Sequence, residues 1–178
     1  MQCLVLGNPA IIPLIGCDGY VTHQPVTPEL AGRFDYIISY GYRHILKKDV
    51  LDLFPQKAIN LHISMLPWNR GADPNLWSFI DNTPKGVTIH YMNEGLDKGD
   101  IIAQREVPMT EDETLKSSYN KLHAAMLRLF EETWPEIVDG TCVGRPQEGK
   151  GSYHKSSDKG KFVIDYDMPV KMLLQNIK

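Results

Sequence analysis

The chain of 178 residues contains few cysteines, no long apolar run and no strong excess of charge of either sign. Its 3 cysteines lie far apart and form no Cys-x-x-Cys pair, which argues against a zinc ribbon or a disulfide framework and fits a reducing cytoplasm. No apolar stretch approaches the roughly 18–20 residues that cross a bilayer. A net charge of −3 argues against sequence-independent binding to nucleic acid. We therefore expect a cytoplasmic protein of one compact domain, without a membrane or nucleic-acid partner.

Short apolar runs alternate with amphipathic pieces along the chain. The runs predicted to form strands cover residues 3–6, 19–23, 35–40, 58–61, 86–91 and 100–107. Helices are predicted over 47–54, 74–81 and 113–138, whereas the polar, glycine-containing residues 144–161 are expected to have low order. This alternation predicts an α/β domain with a mostly parallel sheet, in which ligands gather beyond the carboxyl ends of the strands.

Asn60 and His62 stand at the carboxyl end of one predicted strand. Because they are two residues apart, their side chains leave the same face of that strand. Asp97 lies on a glycine-flanked turn and can supply a carboxylate that orients the imidazole. The three groups suit acyl transfer to an amine without a metal or a covalent nucleophile, with Asn60 donating to the oxyanion and His62 stabilising it or moving a proton. Taken singly, each is better explained as a satisfied strand or turn residue, and only the combination favours a catalytic site.

Four motifs occur around these residues in a fixed order, at 60–67, 70–74, 86–88 and 95–102. With them the chain resembles the 10-formyltetrahydrofolate-dependent formyltransferases. The resemblance implies a Rossmann-like formyltransferase fold, with Asn60, His62 and Asp97 as catalytic residues and 10-formyltetrahydrofolate as formyl donor. It implies no metal, and His90 is interpreted as a structural or pocket-edge histidine because no metal-type spacing accompanies it.

Three further segments, at 68–71, 74–79 and 152–155, are most similar to the amino-sugar branch of that family. The implied substrate is the amine of a small molecule, namely a nucleotide-linked amino-deoxy sugar. The resemblance also implies a catalytic domain over 1–140 and a carboxyl-terminal extension over 141–178 that packs on it or is partly mobile. About 35 residues precede the strand at 35–40, so the amino-terminal half is abbreviated. A homodimer is left open.

The resemblance also implies binding residues for both reactants. Backbone groups around two segments would read the pterin ring, which implicates Tyr42, His44, Leu46, Asn93 and Gly95 as cofactor-binding residues. The substrate-binding candidates are Trp68, Arg70 and Trp77. Core packing is the other interpretation of Trp77, and stabilisation of its own loop is the other interpretation of Arg70.

Other functions fit the same residues. The catalytic groups can direct water at the formyl group, which would make the protein a formyltetrahydrofolate hydrolase. The acceptor can be that of a methionyl-tRNA or glycinamide ribonucleotide type formyltransferase. The abbreviated front half also allows a non-catalytic folate-binding remnant.

Overall fold

The computed structural model describes residues 1–177 and contains a six-stranded sheet and a small two-stranded sheet. The strands are β1 Gln2–Gly7, β2 Asp18–Thr22, β3 Tyr36–Tyr40, β4 Ala58–His62, β5 Arg70–Gly71, β6 Gly86–Tyr91, β7 Ile101–Glu106 and β8 Tyr153–His154. The α-helices are α1 Pro28–Ala31, α2 Lys48–Leu51, α3 Pro74–Ile80, α4 Leu115–Val138 and α5 Val170–Ile177. Two 3-10 helices cover Pro9–Leu14 and Asp158–Lys161.

The main sheet has the strand order β2-β1-β3-β4-β6-β7. Strands β2, β1, β3 and β4 run parallel, while β6 is antiparallel to both of its neighbours. The expected mostly parallel α/β sheet is therefore confirmed. The residues before β3 supply two parallel strands, β1 and β2, joined by the 3-10 helix Pro9–Leu14.

Each face of the main sheet carries its own apolar cluster. Helix α4 covers one face, where its buried residues Leu122, Met126 and Phe130 pack against alternate residues of the strands. The periodicity that predicted a helix over 113–138 is thus explained by burial of one stripe. The opposite face packs on the short helices α1 and α2 through a cluster that includes Leu46 and Ala58.

Local sequence signals fix the ends of the helices. Thr27 accepts a hydrogen bond from the Leu30 N–H and precedes Pro28, so α1 begins with a side-chain cap and a proline in its first turn. Thr114 and Ser117 form a reciprocal capping box at the start of α4. The predicted helix 47–54 is shorter than expected, because regular α-helix ends at Leu51 and turns continue to Phe54.

The carboxyl-terminal part of the chain contacts the main body through strand pairing and through helix packing. Strand β8 pairs in parallel with β5, and α5 packs on α3 through the apolar cluster of Leu76, Phe79, Val170 and Leu173. Residues 144–161 were expected to have low order, yet they contain β8 and a bridge from Arg145 to Ile101. Pairing with distant strands orders this segment, a tertiary effect that its composition does not reveal.

Candidate active site

Asp97 lies at the centre of the candidate site. Its side chain is buried, at 8% exposure, although it belongs to a loop. Asp97 Oδ1 accepts from Asn60 Nδ2 at 3.0 Å, and Oδ2 accepts from the Gly71 N–H at 2.8 Å. The residue adopts a left-handed backbone with φ +51, a conformation that is uncommon outside glycine. Tertiary contacts therefore hold the carboxylate in place against local backbone preference.

Asn60 and His62 leave the same face of β4, as alternation along a strand requires, and both approach Asp97. His62 Nδ1 lies 3.7 Å from Asp97 Oδ2, and His62 Nε2 lies 2.9 Å from the Asn69 carbonyl oxygen. The ring is thus held between a carboxylate and a backbone acceptor. The structure brings the three predicted catalytic residues together at the carboxyl edge of the sheet.

His90 is the fourth member of this cluster, and the sequence interpretation gave it no catalytic part. It lies opposite Asn60 in the antiparallel pairing of β4 with β6. Its Nδ1 lies 2.7 Å from the Tyr91 carbonyl oxygen, to which it can only donate, so in the neutral ring Nε2 accepts from Asn60 Nδ2 at 3.2 Å. Both N–H groups of the Asn60 amide therefore have acceptors, His90 and Asp97.

The environment favours the ionised form of Asp97. Burial alone would raise the pKa of this carboxyl, but the electrostatic influence of the nearby His62 and His90 rings and the hydrogen bond from the Gly71 N–H outweigh burial and hold the pKa well below its usual range. Asp97 is therefore an anion at neutral pH.

The two segments predicted to bind the cofactor lie side by side. Tyr42 and Leu46 pack in the same apolar cluster as Met92, which directly precedes Asn93. Lys48 Nζ and Glu94 Oε1, 3.8 Å apart, link the same two segments. Asn93 Oδ1 accepts from the Gly95 N–H at 2.9 Å and shapes the turn that leads to Asp97.

The remaining predicted cofactor residue, His44, packs edge-on against Tyr42 with 5.3 Å between ring centroids. Tyr42 Oη donates to the Gln24 carbonyl oxygen at 2.6 Å. The side chains of Tyr42, His44 and Leu46 thus make contacts within the protein, which fits a role for this segment through its backbone groups.

The three predicted substrate-binding residues differ in their surroundings. Trp68 is 39% exposed on the loop after β4. Arg70 donates from Nε and Nη2 to Gln147 Oε1, at 3.1 and 2.7 Å. Trp77 is buried and stacks on the His154 ring, with centroids 3.9 Å apart. The structure therefore places Trp68 nearer to solvent than the other two, and the substrate contacts of all three stay predictions.

A cavity of about 350 Å³ opens next to the catalytic strand, within the size range of small-molecule sites. Ile63, which directly follows His62, contributes to its lining. The rings of Tyr119 and Tyr166 also line it, and both are partly exposed. A larger cavity, about 580 Å³, lies beside α5 and is lined by Phe162, Met168, Leu173 and their neighbours, away from the catalytic cluster.

Residues 1–177 lack two features that would point to another kind of function. Within that range no helix is both long enough and apolar enough to cross a membrane. The same residues contain no group of three or more His, Cys, Asp or Glu side chains placed to hold a metal ion.

Comparison with known proteins identifies a family. The family model described as formyl transferase matches residues 28–133, which include β4, the catalytic cluster and most of α4. The methionyl-tRNA formyltransferase of Listeria monocytogenes is 30% identical over 169 residues, which are 94% of this chain and 54% of the relative. The enzyme of the same name from a Geobacillus species is 36% identical, over 84% of this chain and 48% of its own. The chain thus spans about half the length of the curated relatives it matches.

Solved structures match over a greater share of their length. The formyltransferase PseJ from Anoxybacillus kamchatkensis, in complex with UDP-4,6-dideoxy-4-formamido-L-AltNAc and tetrahydrofolate, is 42% identical with a TM-score of 0.91, and the match covers 100% of both chains. A 4-N formyltransferase from Francisella tularensis has a TM-score of 0.81 at 24% identity, over 99% of this chain and 86% of its own, which supports the fold alone.

Proposed function

Because the chain belongs to the formyl transferase family, we propose that it transfers the formyl group of 10-formyltetrahydrofolate to the amine of a nucleotide-linked amino-deoxy sugar. The observation that carries this proposal is the convergence of Asn60, His62 and Asp97 at the carboxyl edge of the sheet. The acceptor class is supported by the full-length similarity to PseJ, whose structure contains a formylated UDP-sugar and tetrahydrofolate.

The formyl donor fits beside the catalytic cluster. A pterin ring needs backbone hydrogen-bonding groups along its edges and an apolar surface against its faces. The adjacent segments 42–46 and 93–97 offer both, since they join through the cluster of Tyr42, Leu46 and Met92. Their position next to Asp97 would put the formyl group within reach of the three catalytic side chains.

In the proposed reaction the amine nitrogen bonds to the formyl carbon, the bond from that carbon to N10 of the folate breaks, and the proton that the amine loses is balanced by protonation of N10 in the leaving tetrahydrofolate. The tetrahedral oxyanion needs a donor, typically worth about 10²–10³ in rate. Asn60 can supply it by exchanging its longer bond, the 3.2 Å contact with His90, while Asp97 keeps the other N–H. His62, beside the ionised Asp97, can stabilise the oxyanion or carry the proton, which is typically worth about 10²–10⁴.

We assign the acceptor to the cavity beside β4. Its lining is mainly apolar, and the rings of Tyr119 and Tyr166 suit contact with the flat faces of a sugar or a base. Ile63 joins this cavity to the catalytic strand, so an amine held there lies next to His62. Lys116 also lines the cavity, where its ammonium group is paired with Asp167 at 3.2 Å, and a nucleotide diphosphate would have to compete for that contact.

Incubation with 10-formyltetrahydrofolate and a panel of acceptors tests the proposal. The panel contains a UDP-linked 4-amino-4,6-dideoxy sugar, a dTDP-linked 3-amino sugar, methionyl-tRNA and glycinamide ribonucleotide, with mass spectrometry of the products. We expect a formyl mass gain on a nucleotide-linked sugar. A gain only on methionyl-tRNA or glycinamide ribonucleotide, formate release without any amine, or folate binding without turnover would each reject it in favour of another function.

Variants then test the mechanism. Asn60→Ala, His62→Ala and Asp97→Ala should each lose at least about 10²-fold in kcat, from the magnitudes of donor and acid–base catalysis. His23→Ala, at an exposed histidine outside the cluster, is the matched control and should keep the parent rate. Near-parent turnover in the three site variants would contradict the roles given to these residues.

Three finer points belong to the same proposal. The free thiols of Cys3, Cys17 and Cys142 support a reducing cytoplasm as the location. We propose that residues 141–178 complete the catalytic unit formed by 1–140, since β8 pairs with β5 beside the catalytic loop. A homodimer is the state to test by light scattering at several protein concentrations.

A further inference from the structure

We propose that Gln147 is a positioning residue that holds Asp97 in its catalytic geometry. Its carboxamide connects the main chain of the Asp97 loop to the side chain of Arg70. Nε2 donates to the carbonyl oxygens of Asp97 and Gly99, at 2.8 and 2.9 Å. Oε1 accepts from Arg70 Nε and Nη2, at 3.1 and 2.7 Å. Only the kinetic test of this inference rests on the proposed function.

The contacts close a ring around the catalytic carboxylate. Gln147 accepts from Arg70, which directly precedes Gly71 in the chain. The Gly71 N–H in turn donates to Asp97 Oδ2. Gln147 Nε2 returns to the main chain of Asp97 itself. The carboxylate and the carbonyl of one residue are therefore fixed from two sides by a single connected network.

This network matters because Asp97 has an unfavourable backbone. Its φ of +51 costs energy in a residue with a side chain, so the loop needs external hydrogen bonds to keep that conformation. The loop is also tight after Asp97, since a Cβ on Gly99 would lie 1.7 Å from the Tyr91 carbonyl oxygen. With Asp97 and Gly99 both bound to Gln147, the carboxylate can move little relative to Asn60 and His62.

The chemistry requires glutamine at this position. A carboxamide has two N–H donors and one oxygen that accepts two hydrogen bonds, and all four are used here. A glutamate would keep the Arg70 contacts, but its second carboxylate oxygen has no hydrogen to donate to the carbonyl oxygens of Asp97 and Gly99. Gln147→Glu therefore separates the support of Asp97 from the contact with Arg70, and Gln147→Leu removes both.

The same contacts give Arg70 a structural role. The sequence suggested that its guanidinium meets the substrate, but two of its N–H groups already contact Gln147. Arg70 holds the acceptor oxygen of Gln147 and so fixes which end of the amide faces the Asp97 loop. Through Gln147 the carboxyl-terminal segment therefore supports the main chain of Asp97 without a hydrogen bond to its carboxylate.

The first test is independent of activity. Amide hydrogen exchange at Gly71 reports whether its N–H still reaches Asp97. We expect faster Gly71 exchange in Gln147→Leu and in Gln147→Glu, at unchanged circular dichroism, and parent exchange in the control Glu148→Gln, an exposed neighbour. Should Gln147→Leu fail to fold, Gln147→Asn, which shortens the side chain by one methylene, replaces it. Unchanged Gly71 exchange in folded variants would overturn the inference, whatever the enzyme's reaction is.

The second test is kinetic and applies once formyl transfer is measured. A small misplacement of a catalytic group can cost about 10²-fold, so Gln147→Leu should lower kcat tenfold to a hundredfold and change the KM of either substrate little. Because Gln147 acts through Asp97, the same substitution should cost at most threefold in an Asp97→Asn background. Equal losses in both backgrounds would assign Gln147 a role separate from Asp97 and overturn the inference. A parent that transfers no formyl group would reject the proposed function and leave the exchange test to decide on Gln147.

Discussion

Gly71 donates its main-chain N–H to Asp97 Oδ2 at 2.8 Å, across 26 residues of sequence. The bond joins β5 to the loop after β6, next to the Asn60 side chain that also contacts Asp97. Gly71 has a φ of +88, and a Cβ there would lie 2.2 Å from the His154 carbonyl oxygen. A glycine is therefore required for the backbone angle and for the close approach of β8.

Gly71→Ala should lose both stability and activity. We expect a loss of about 1–3 kcal/mol in the free energy of unfolding from backbone strain, together with a fall in kcat as the Asp97 contact is displaced. Urea denaturation and turnover measure the two effects. Gly140→Ala is the matched control, because Gly140 has a similar φ of +69 but open space around it. An equal loss of kcat in the control would contradict a specific role for Gly71.

The low pKa of Asp97 predicts how stability depends on pH. The folded state favours the ionised carboxylate, so Asp97 adds stability above its unfolded pKa of about 3.9, and this is lost as the pH falls toward the folded value. The difference in unfolding free energy between the parent and Asp97→Asn should thus shrink below about pH 4. Denaturation at several pH values measures it, with Asp100→Asn, an exposed carboxylate nearby, as a control for charge removal. A difference that grows on acidification would contradict the assignment.

The stacked pair of Trp77 and His154 predicts how firmly the carboxyl-terminal segment is attached. The rings are nearly parallel at 2°, and His154 Nε2 lies 2.6 Å from Asp81 Oδ2. Trp77→Phe should weaken this contact by about 0.5–1.5 kcal/mol and speed proteolytic cleavage between residues 145 and 165. Trp68→Phe, at an exposed tryptophan, is the control. Cleavage at the parent rate in Trp77→Phe would mean that other contacts hold the segment.

The aromatic lining of the 350 Å³ cavity predicts a selective effect on one substrate. Tyr119→Ala should raise the KM of the sugar acceptor about tenfold, since stacking is worth about 1 kcal/mol or more, and leave the KM of the formyl donor unchanged. Tyr119→Phe keeps the ring and should behave like the parent, as should Tyr20→Ala at an exposed tyrosine on β2. A raised KM for the formyl donor in Tyr119→Ala would instead place the donor in this cavity and contradict the assignment of the acceptor to it.

Much of the framework could be predicted from the sequence. The strands were visible because short apolar runs ended at glycine, proline or polar residues, and α4 because one stripe is buried. Asn60 and His62 could be assigned to one face from their spacing alone. Their proximity to Asp97 was available only from the family resemblance, because 35 residues separate His62 from Asp97 and spacing gives no information on such a contact.

The parts that sequence could not supply depend on pairing between distant strands. Apolar pattern does not reveal strand direction, so the antiparallel register that sets His90 opposite Asn60 was not predicted. Gln147 lies in a polar segment expected to have low order, and its four hydrogen bonds all go to residues at least 48 positions away. A polar residue in such a segment carries no local signal of its partners, which explains why it was missed.

Residues in β4 and directly after it pack on opposite faces of the main sheet. Ala58, two residues before Asn60, packs in the cluster that also holds Leu46, whereas Ile63 packs against the α4 side. Under the proposed assignment, the formyl donor therefore lies on the Leu46 side of β4 and the sugar acceptor on the Ile63 side. Substitutions on α4 can then change which sugar is modified without altering the binding of the formyl donor. A fold of this kind can therefore acquire new acceptors through changes on one helix surface.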